Sequence, residues 1–380
     1  MPRADELGLA EQAHHDAWRA EVLAGKGAPG HRLLVDLDAI KEKPGLSSKV
    51  DIGIITAFAP EVQAVLDRMT SILGKKTFSG RAFFIGKLAC ASAGGTKKVA
   101  VTVSGESMVN AALTTQLLVD KFQVSKLIFS GIAGGIDPTN NIGDVVIPAR
   151  WAQPHNQRYI RPLQTTKLFY YAGKGNTFTS DTFQKTRSGD YISFTRPGTD
   201  RCTVNPTPAT LNAAKASGVV TDGFALPIPV QILTETMDAF ESTVPAVYNL
   251  PVDAGMLAVA KKVAASVGLS SKYTIPGTNI TFTLAVKPKI KVGGTGMSSA
   301  TFVDNAEYRV DVYEAIGAES CDMESTAFMQ VCATNKKKCI VIRSLSDLAG
   351  GDADGNQVGN FFGMASYHSS LVLTALVAAA

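Results

Sequence analysis

The sequence predicts an α/β fold built on a largely parallel central sheet. Three observations carry that prediction: short apolar runs alternate with segments of helical periodicity, turn residues separate them, and the composition suits a large buried core. Of the 380 residues, 45% are apolar, 34 are glycine and only 18% are charged, against about a quarter charged in ordinary soluble domains. Such a chain is not disordered as its general state.

The first unit starts at Asp51. Ile52–Ala57 is an apolar run, and Pro60 suits a first helical turn, where its missing N–H has no partner to lose. Val62, Val65, Leu66 and Met69 then follow at helical spacing. The unit recurs with Lys98–Val103 as strand, Ser104–Ser107 as turn, and Val109, Ala112, Leu113, Gln116 and Leu117 along a helix face. Lys126–Ile132 reads as another strand, ending on Ala133-Gly134-Gly135. Near the C-terminus Met323–Thr334 reads as a helix, Cys339–Arg343 as a strand, and a last helix begins at about Met364. Ligands of such sheets sit beyond the carboxyl ends of the strands. That singles out the loops Ala57–Glu61, Ser104–Ser107, Ile132–Gly135 and Ser344–Gly351.

Residues 1–50 read as an N-terminal extension, with one polar helix from Glu6 to Leu23 ended by Gly25–Gly30. Between Ile147 and about Pro288 the periodicity fades, Phe169-Tyr170-Tyr171 cluster, and one helix stands out at Ala254–Val267. The organisation expected is therefore a single catalytic domain over 51–380 with an enlarged middle region at about 150–288.

Lysine plus arginine number 37 and aspartate plus glutamate 33; the positive charges are scattered, which is no footprint for nucleic acid. The runs Cys339–Ile342 and Leu371–Ala380 fall short of the ~20 residues of a membrane span. Asp5, Glu6 and Glu11 leave no secretory signal visible, and a removed one would leave no trace. The five cysteines are odd in number and form no C-x-x-C pair. They argue against a disulfide framework or zinc site, and for reduced thiols and a cytoplasmic location.

The five histidines show no H-x-x-x-H spacing, and His14-His15 lies in the polar extension. Lys336-Lys337-Lys338 reads as an exposed turn. Neither G-x-G-x-x-G nor a Walker loop follows a strand, Gly293-Gly294-Thr295-Gly296 matches neither, and no G-x-S-x-G elbow occurs. Nicotinamide, nucleoside triphosphate and that serine hydrolase chemistry are disfavoured. Carboxylates remain. Asp347, in Arg343-Ser344-Leu345-Ser346-Asp347, follows a strand and suits acid–base work, or equally a cap or surface loop. Asp322-Met323-Glu324-Ser325 opens an apolar helix, where acidic residues also complement the dipole. Glu61 on its own is a first-turn glutamate.

Taken together, Ile52–Val62 (IGIITAFAPEV), Phe129–Asp144 (FSGIAGGIDPTNNIGD), Cys321–Ser325 (CDMES) and Arg343–Gly350 (RSLSDLAG) resemble the nucleoside phosphorylase superfamily, and within it the methylthioadenosine/S-adenosylhomocysteine nucleosidases. Ser299–Tyr308 (SATFVDNAEY) and Leu348–Gly351 are similar to the plant branch related to bark and vegetative storage proteins. The resemblance implies a three-layer α/β/α sandwich around a mixed, barrel-like sheet, assembled as a homodimer or higher oligomer, with no metal or organic cofactor. It assigns Asp347 as the acid that protonates N7 of a purine, oriented by Ser346, and Glu61 as the base that activates water. Glu324 would hold the ribose hydroxyls, Met323 would pack on the sugar, and Arg343 would hold the acidic residues. Phe302 would stack on the base and Val303 bond it through its backbone, while Ala133 and Gly134 line the pocket and Asp322 shifts a backbone contact within it.

The superfamily's phosphorylases hold phosphate through arginines after the first strand and in the strand before the glycine turn. Here those positions carry Ala57–Glu61 and Phe129, and a glutamate repels an oxyanion. Two departures from the nucleosidase pattern stand out: Ile132 replaces a serine, and Asp322 a glutamate. The expected function is a purine nucleoside N-ribohydrolase acting on methylthioadenosine, adenosine or inosine, or cytokinin ribosides. A phosphorylase, and a storage or nucleoside-binding protein with weak turnover, are the alternatives. The presence of Glu61, Glu324 and Asp347 together argues against the last.

Overall fold

The computed structural model describes residues 36–37, 39–91, 94–159, 225–227, 230–231, 246–274, 281–352 and 355–379. The polar helix expected at Glu6–Leu23, His14, His15, His31, Phe169–Tyr171 and Cys202 lie outside the described residues.

Parallel strands buried on both faces need unbroken apolar runs, and four segments supply them. β1 (Ile52–Thr56), β4 (Thr96–Val103), β5 (Lys126–Gly135) and β12 (Lys338–Asp347) lie side by side, with β1 parallel to β4 and β5, and β12 parallel to β5. Between and beyond them run α1 (Ala59–Leu66), β2 (Ser71–Phe78), β3 (Arg81–Ala89), α2 (Met108–Lys121), β6 (Val145–Ile147), β7 (Arg150–Ala152), β8 (Asn249–Pro251) and α3 (Ala254–Ser266). Then come β9 (Ile290–Val292), β10 (Thr295–Ser298), α4 (Ala306–Ile316), β11 (Ala318–Asp322), α5 (Ser325–Thr334) and, after β12, α6 (Val358–Ala379). All twelve strands share one sheet.

The sheet is mixed, as the family resemblance implies, and not largely parallel, as the alternation of strands and helices alone suggests. β2, β3 and β4 form an antiparallel meander. Its hairpin turns at Ser79 and Gly80, both at positive φ, and its outer strand is half exposed, so it shows no long apolar run. β11 and β6 also run antiparallel to β5 and β12 respectively.

The barrel-like closure follows from two kinked strands. β6 runs into β7, β9 runs into β10, and the two chains lie parallel to each other on both sides of their kinks. β6 pairs with β12 and β10 with β11, while β5 pairs with both β12 and β11. The ring β5–β12–β6/β7–β9/β10–β11 therefore returns to β5. β5 can serve both arms because its first half faces β1 and its last two glycines face β11.

Helices cover both faces. On β5 the odd position Phe129 meets Phe328 of α5 at 5.5 Å between ring centroids, while the even position Ile132 packs with Phe362 of α6. α6 begins at Val358, six residues before the expected Met364, and its 22 residues are long and apolar enough to span a membrane. Its most apolar stretch is 61% buried within the protein, as a core helix requires.

The cysteine expectation is corrected at one pair. Cys332, in the last turn of α5, and Cys339, at the start of β12, form a disulfide with their Cα atoms 6.3 Å apart. The tight reversal through Lys336, at φ 52°, brings the two together. An odd total says nothing about such a local pair.

Candidate active site

Four strand ends and the helices that follow them converge on one region. After β1 the chain turns straight into α1, placing Glu61 in the first turn with its side chain folded back. Its Oε2 accepts from the N–H groups of Ala57 at 2.7 Å and Phe58 at 3.0 Å, and its Oε1 from Ile132 N–H at 2.8 Å. Glycine at 131 is required here. A Cβ at that position would stand 2.5 Å from Glu61 Oε1 and 2.7 Å from Arg343 Nη1. Burial leaves Glu61 raised from its ordinary value, against the pull of Arg343 and the three backbone donors. Every one of these hydrogen-bonding neighbours donates, the pattern that suits an ionised carboxylate.

Arg343, on β12, is 1% exposed and organises the acidic residues. Its Nε lies 2.9 Å from Asp322 Oδ2, its Nη2 donates to Glu324 Oε2 at 3.3 Å, and its Nη1 donates to the Ile132 carbonyl at 3.0 Å. Nε and Nη2 also donate to Ser325 Oγ, and the guanidinium stacks 4.5 Å above the Phe129 ring. Phe129 is thus the cation's support.

Asp322 ends β11 with both oxygens engaged. Oδ1 accepts from Ser298 Oγ at 2.6 Å and from the N–H groups of Glu324 and Ser325, which opens α5; Oδ2 takes Ser325 Oγ and Arg343. Both oxygens of this carboxylate are thus held by the scaffold. Glu324 receives the Ser107 N–H on Oε1 at 2.8 Å. Burial lifts Glu324 to about 8, with Asp322 and Glu61 adding to the rise against the pull of Arg343. The salt bridge and the raised value are compatible, because one guanidinium faces three carboxylates.

Asp347 is the last residue of β12, whereas the sequence places it in a following loop. Its Oδ2 accepts from Ser346 Oγ and its Oδ1 from Ala349 N–H, both at 2.9 Å. It is 3% exposed, and burial raises it to about 6, against the pull of those two donors. The Phe302 loop leans on it: Asn305 N–H donates to the Ala349 carbonyl, and Gly350, at φ 89°, leaves room for that approach. Val303 is buried in a cluster with Cys321 and Ala349, Phe302 is 39% exposed, and Met323 is half-buried beside Glu324. Ala133 and Gly134 are buried on β5, and Gly134 leaves space for Asp347.

Glu61, Glu324, Arg343 and Asp322 are therefore brought into one network, with Asp347 and Ser346 further along the same strand. The network also includes the backbone N–H groups of Ser107 and Ile132 and the hydroxyls of Ser298 and Ser325, to which the sequence reading gives no such part. Ser325 had a signal, as the hydroxyl beside Glu324. Backbone donors had none. Among the described residues no group of three His, Cys, Asp or Glu side chains is arranged to hold a metal ion.

Residues 51–380 match the sequence model of the phosphorylase superfamily. A 5'-methylthioadenosine/S-adenosylhomocysteine nucleosidase of Listeria innocua is 42% identical over 101 residues, 27% of this chain and 40% of that protein. The match thus spans about two fifths of that relative's length. The corresponding protein of Mycobacterium bovis is 25% identical over 284 residues, 74% of this chain and 81% of the relative. Among solved structures, the futalosine hydrolase of Helicobacter pylori aligns with TM-score 0.53 at 18% identity, over 86% of this chain and 97% of that one. The methylthioadenosine/S-adenosylhomocysteine nucleosidase of Neisseria meningitidis, in complex with methylthio-immucillin-A, gives 0.53 at 17%, over 87% and 99%. These structural likenesses concern the fold.

Proposed function

The chain belongs to the phosphorylase superfamily, and from that premise we propose that it is a purine nucleoside N-ribohydrolase. The observation that carries this reading is the contrast between two buried carboxylates, Glu61 surrounded by donors and Asp347 held near 6 by burial. Cleavage of an N-glycosidic bond passes through a cationic, oxocarbenium-like sugar. It needs an acid at the departing base and a carboxylate at the attacking water.

Asp347 is the acid. Its raised value keeps a share of the proton available near neutrality, and Ser346 and Ala349 fix the carboxyl's plane. Glu61 is the base. Three N–H groups occupy three of the roughly four lone-pair directions of its carboxylate, and the remaining one receives the water's proton. Glu324, tied by Ser107 and Arg343, binds the ribose hydroxyls, with Met323 against the sugar. Arg343 and Asp322 hold this set in place. Phe302, Val303, Ala133 and Gly134 form the base pocket. Against phosphate as the nucleophile, Arg343 is already committed to carboxylates, and Glu61 would repel an oxyanion.

Methylthioadenosine, adenosine or inosine, and cytokinin ribosides are the substrates of this proposal. A homodimer and a cytoplasmic location belong to it as well. In support of the dimer, Val109 and Leu113 stand 79% and 48% exposed on one face of α2, the helix that follows Ser107. The test is to incubate the protein with these nucleosides, with and without phosphate, and identify the sugar. Free sugar in both cases is expected. A sugar 1-phosphate formed only with phosphate would overturn the hydrolase reading.

A further inference from the structure

Asp347 has a neighbour to which the reading above gives no part. Cys321, on β11, is the register partner of Gly134 across the antiparallel pairing with β5. Its side chain is buried and its sulfur is in no disulfide. A methyl group placed on Gly134 would lie 2.9 Å from Asp347 Oδ1, 3.1 Å from Cys321 Sγ and 3.2 Å from Ala349 Cβ. Carboxyl, thiol and methyl therefore converge on one small space above a residue that has no side chain.

Asp352 and Asp304, from the loops after β12 and before α4, add their negative charge to the effect of burial on Asp347, and the donors to it in this space are few. Ala349 N–H reaches Oδ1 and Ser346 Oγ reaches Oδ2, one each. A thiol is a weak donor, and burial between the carboxylates of Asp347 and Asp322 pushes Cys321 well up, so it stays neutral. A hydroxyl at this position is a stronger donor than a thiol, and a hydrogen bond from it to Asp347 would favour the charged form. Each neighbouring residue on β11 bears a more polar group, Ser320 on one side and Asp322 on the other. The sulfur occupies the one position that faces the acid.

We propose that Cys321 is a positioning residue for Asp347: its thiol fills the space beside Oδ1 with a group too weakly polar to solvate a carboxylate, so that Asp347 keeps its proton for the departing base. The inference rests on the hydrolase reading for the use of that proton, though not for its presence.

Two measurements on the same proteins test it. Side-chain carboxyl titration of Asp347 by 13C NMR, assigned with Asp347→Asn, is followed in wild type, Cys321→Ser and Cys321→Ala, beside the pH–rate profile of adenine release. In C321S the Asp347 midpoint should fall by about one unit, roughly a tenfold loss of protonated acid at pH 8, and the alkaline limb should fall with it. C321A, which adds no donor, should leave the midpoint near that of wild type. Cys321→Thr supplies the same hydroxyl with more packing should C321S lose structure. A folded hydroxyl variant with the wild-type midpoint would overturn the inference, whatever its turnover. A shifted midpoint in proteins that cleave no nucleoside would uphold it and sink the hydrolase reading instead.

Discussion

Arg343 and Asp347 lie on the same strand, yet their surroundings have little in common. Around Arg343 three carboxylates, two serines and several backbone groups leave almost no valence unused. Around Asp347 there are two donors, a thiol, a glycine, the Ala349 methyl and the negative charges of Asp304 and Asp352. The first neighbourhood fixes charges in place; the second withholds the solvation a charge would need. One strand can thus carry a rigid binding cluster and a proton donor because its end passes from a charged environment into a sparse one.

The comparison can be broken from the Arg343 side first. Arg343→Met would leave Glu61, Asp322 and Glu324 buried without their cation, and removing one partner of such a cluster costs about 3–5 kcal/mol. Urea unfolding should show a loss of that size. A loss under ~1 kcal/mol would mean that the cluster is solvated like a surface pair. A smaller effect is expected from the disulfide, which ties α5 to β12 at the end opposite the salt bridges. For a loop this short, opening it should cost about 2 kcal/mol. The melting temperature should fall on adding a dithiol reductant to the unfolding mixture, and Cys332→Ser should abolish that response. An unchanged melting temperature would mean that the disulfide adds nothing to the packing already between α5 and β12.

Much of this architecture is legible in the sequence, for reasons specific to each element. β1, β4, β5 and β12 are buried on both faces, so each writes an apolar run. β6, β7, β9 and β10 are only three or four residues long, too short for any period to register, and β2, the outer strand of its hairpin, is half exposed. Glu61, Glu324, Arg343 and Asp347 are visible through the motifs that resemble the nucleosidases; taken singly, Glu61 reads as a first-turn glutamate and Asp347 equally as a cap. What they bind to is not visible. The N–H groups of Ser107 and Ile132 have no side-chain signature, and the full engagement of Asp322 depends on Ser298, a residue distant in sequence. The thiol of Cys321 acquires meaning only when Gly134 is seen opposite it.

The central claim is that Asp347 delivers a proton to the base. It is tested most directly by the pH dependence of kcat/KM for adenine release from methylthioadenosine, in wild type and in the near-isosteric Asp347→Asn. The acid works only when protonated and titrates at about 6. Wild-type activity should therefore decline as pH rises through 6. It should decline again toward acid pH as Glu61, raised by its burial, takes up a proton and can no longer accept the water's. Asp347→Asn should lose about 10²–10⁴-fold, the range for general acid catalysis, and its residual rate should lack that alkaline limb. An asparagine variant that keeps the wild-type rate and the same limb would contradict the account.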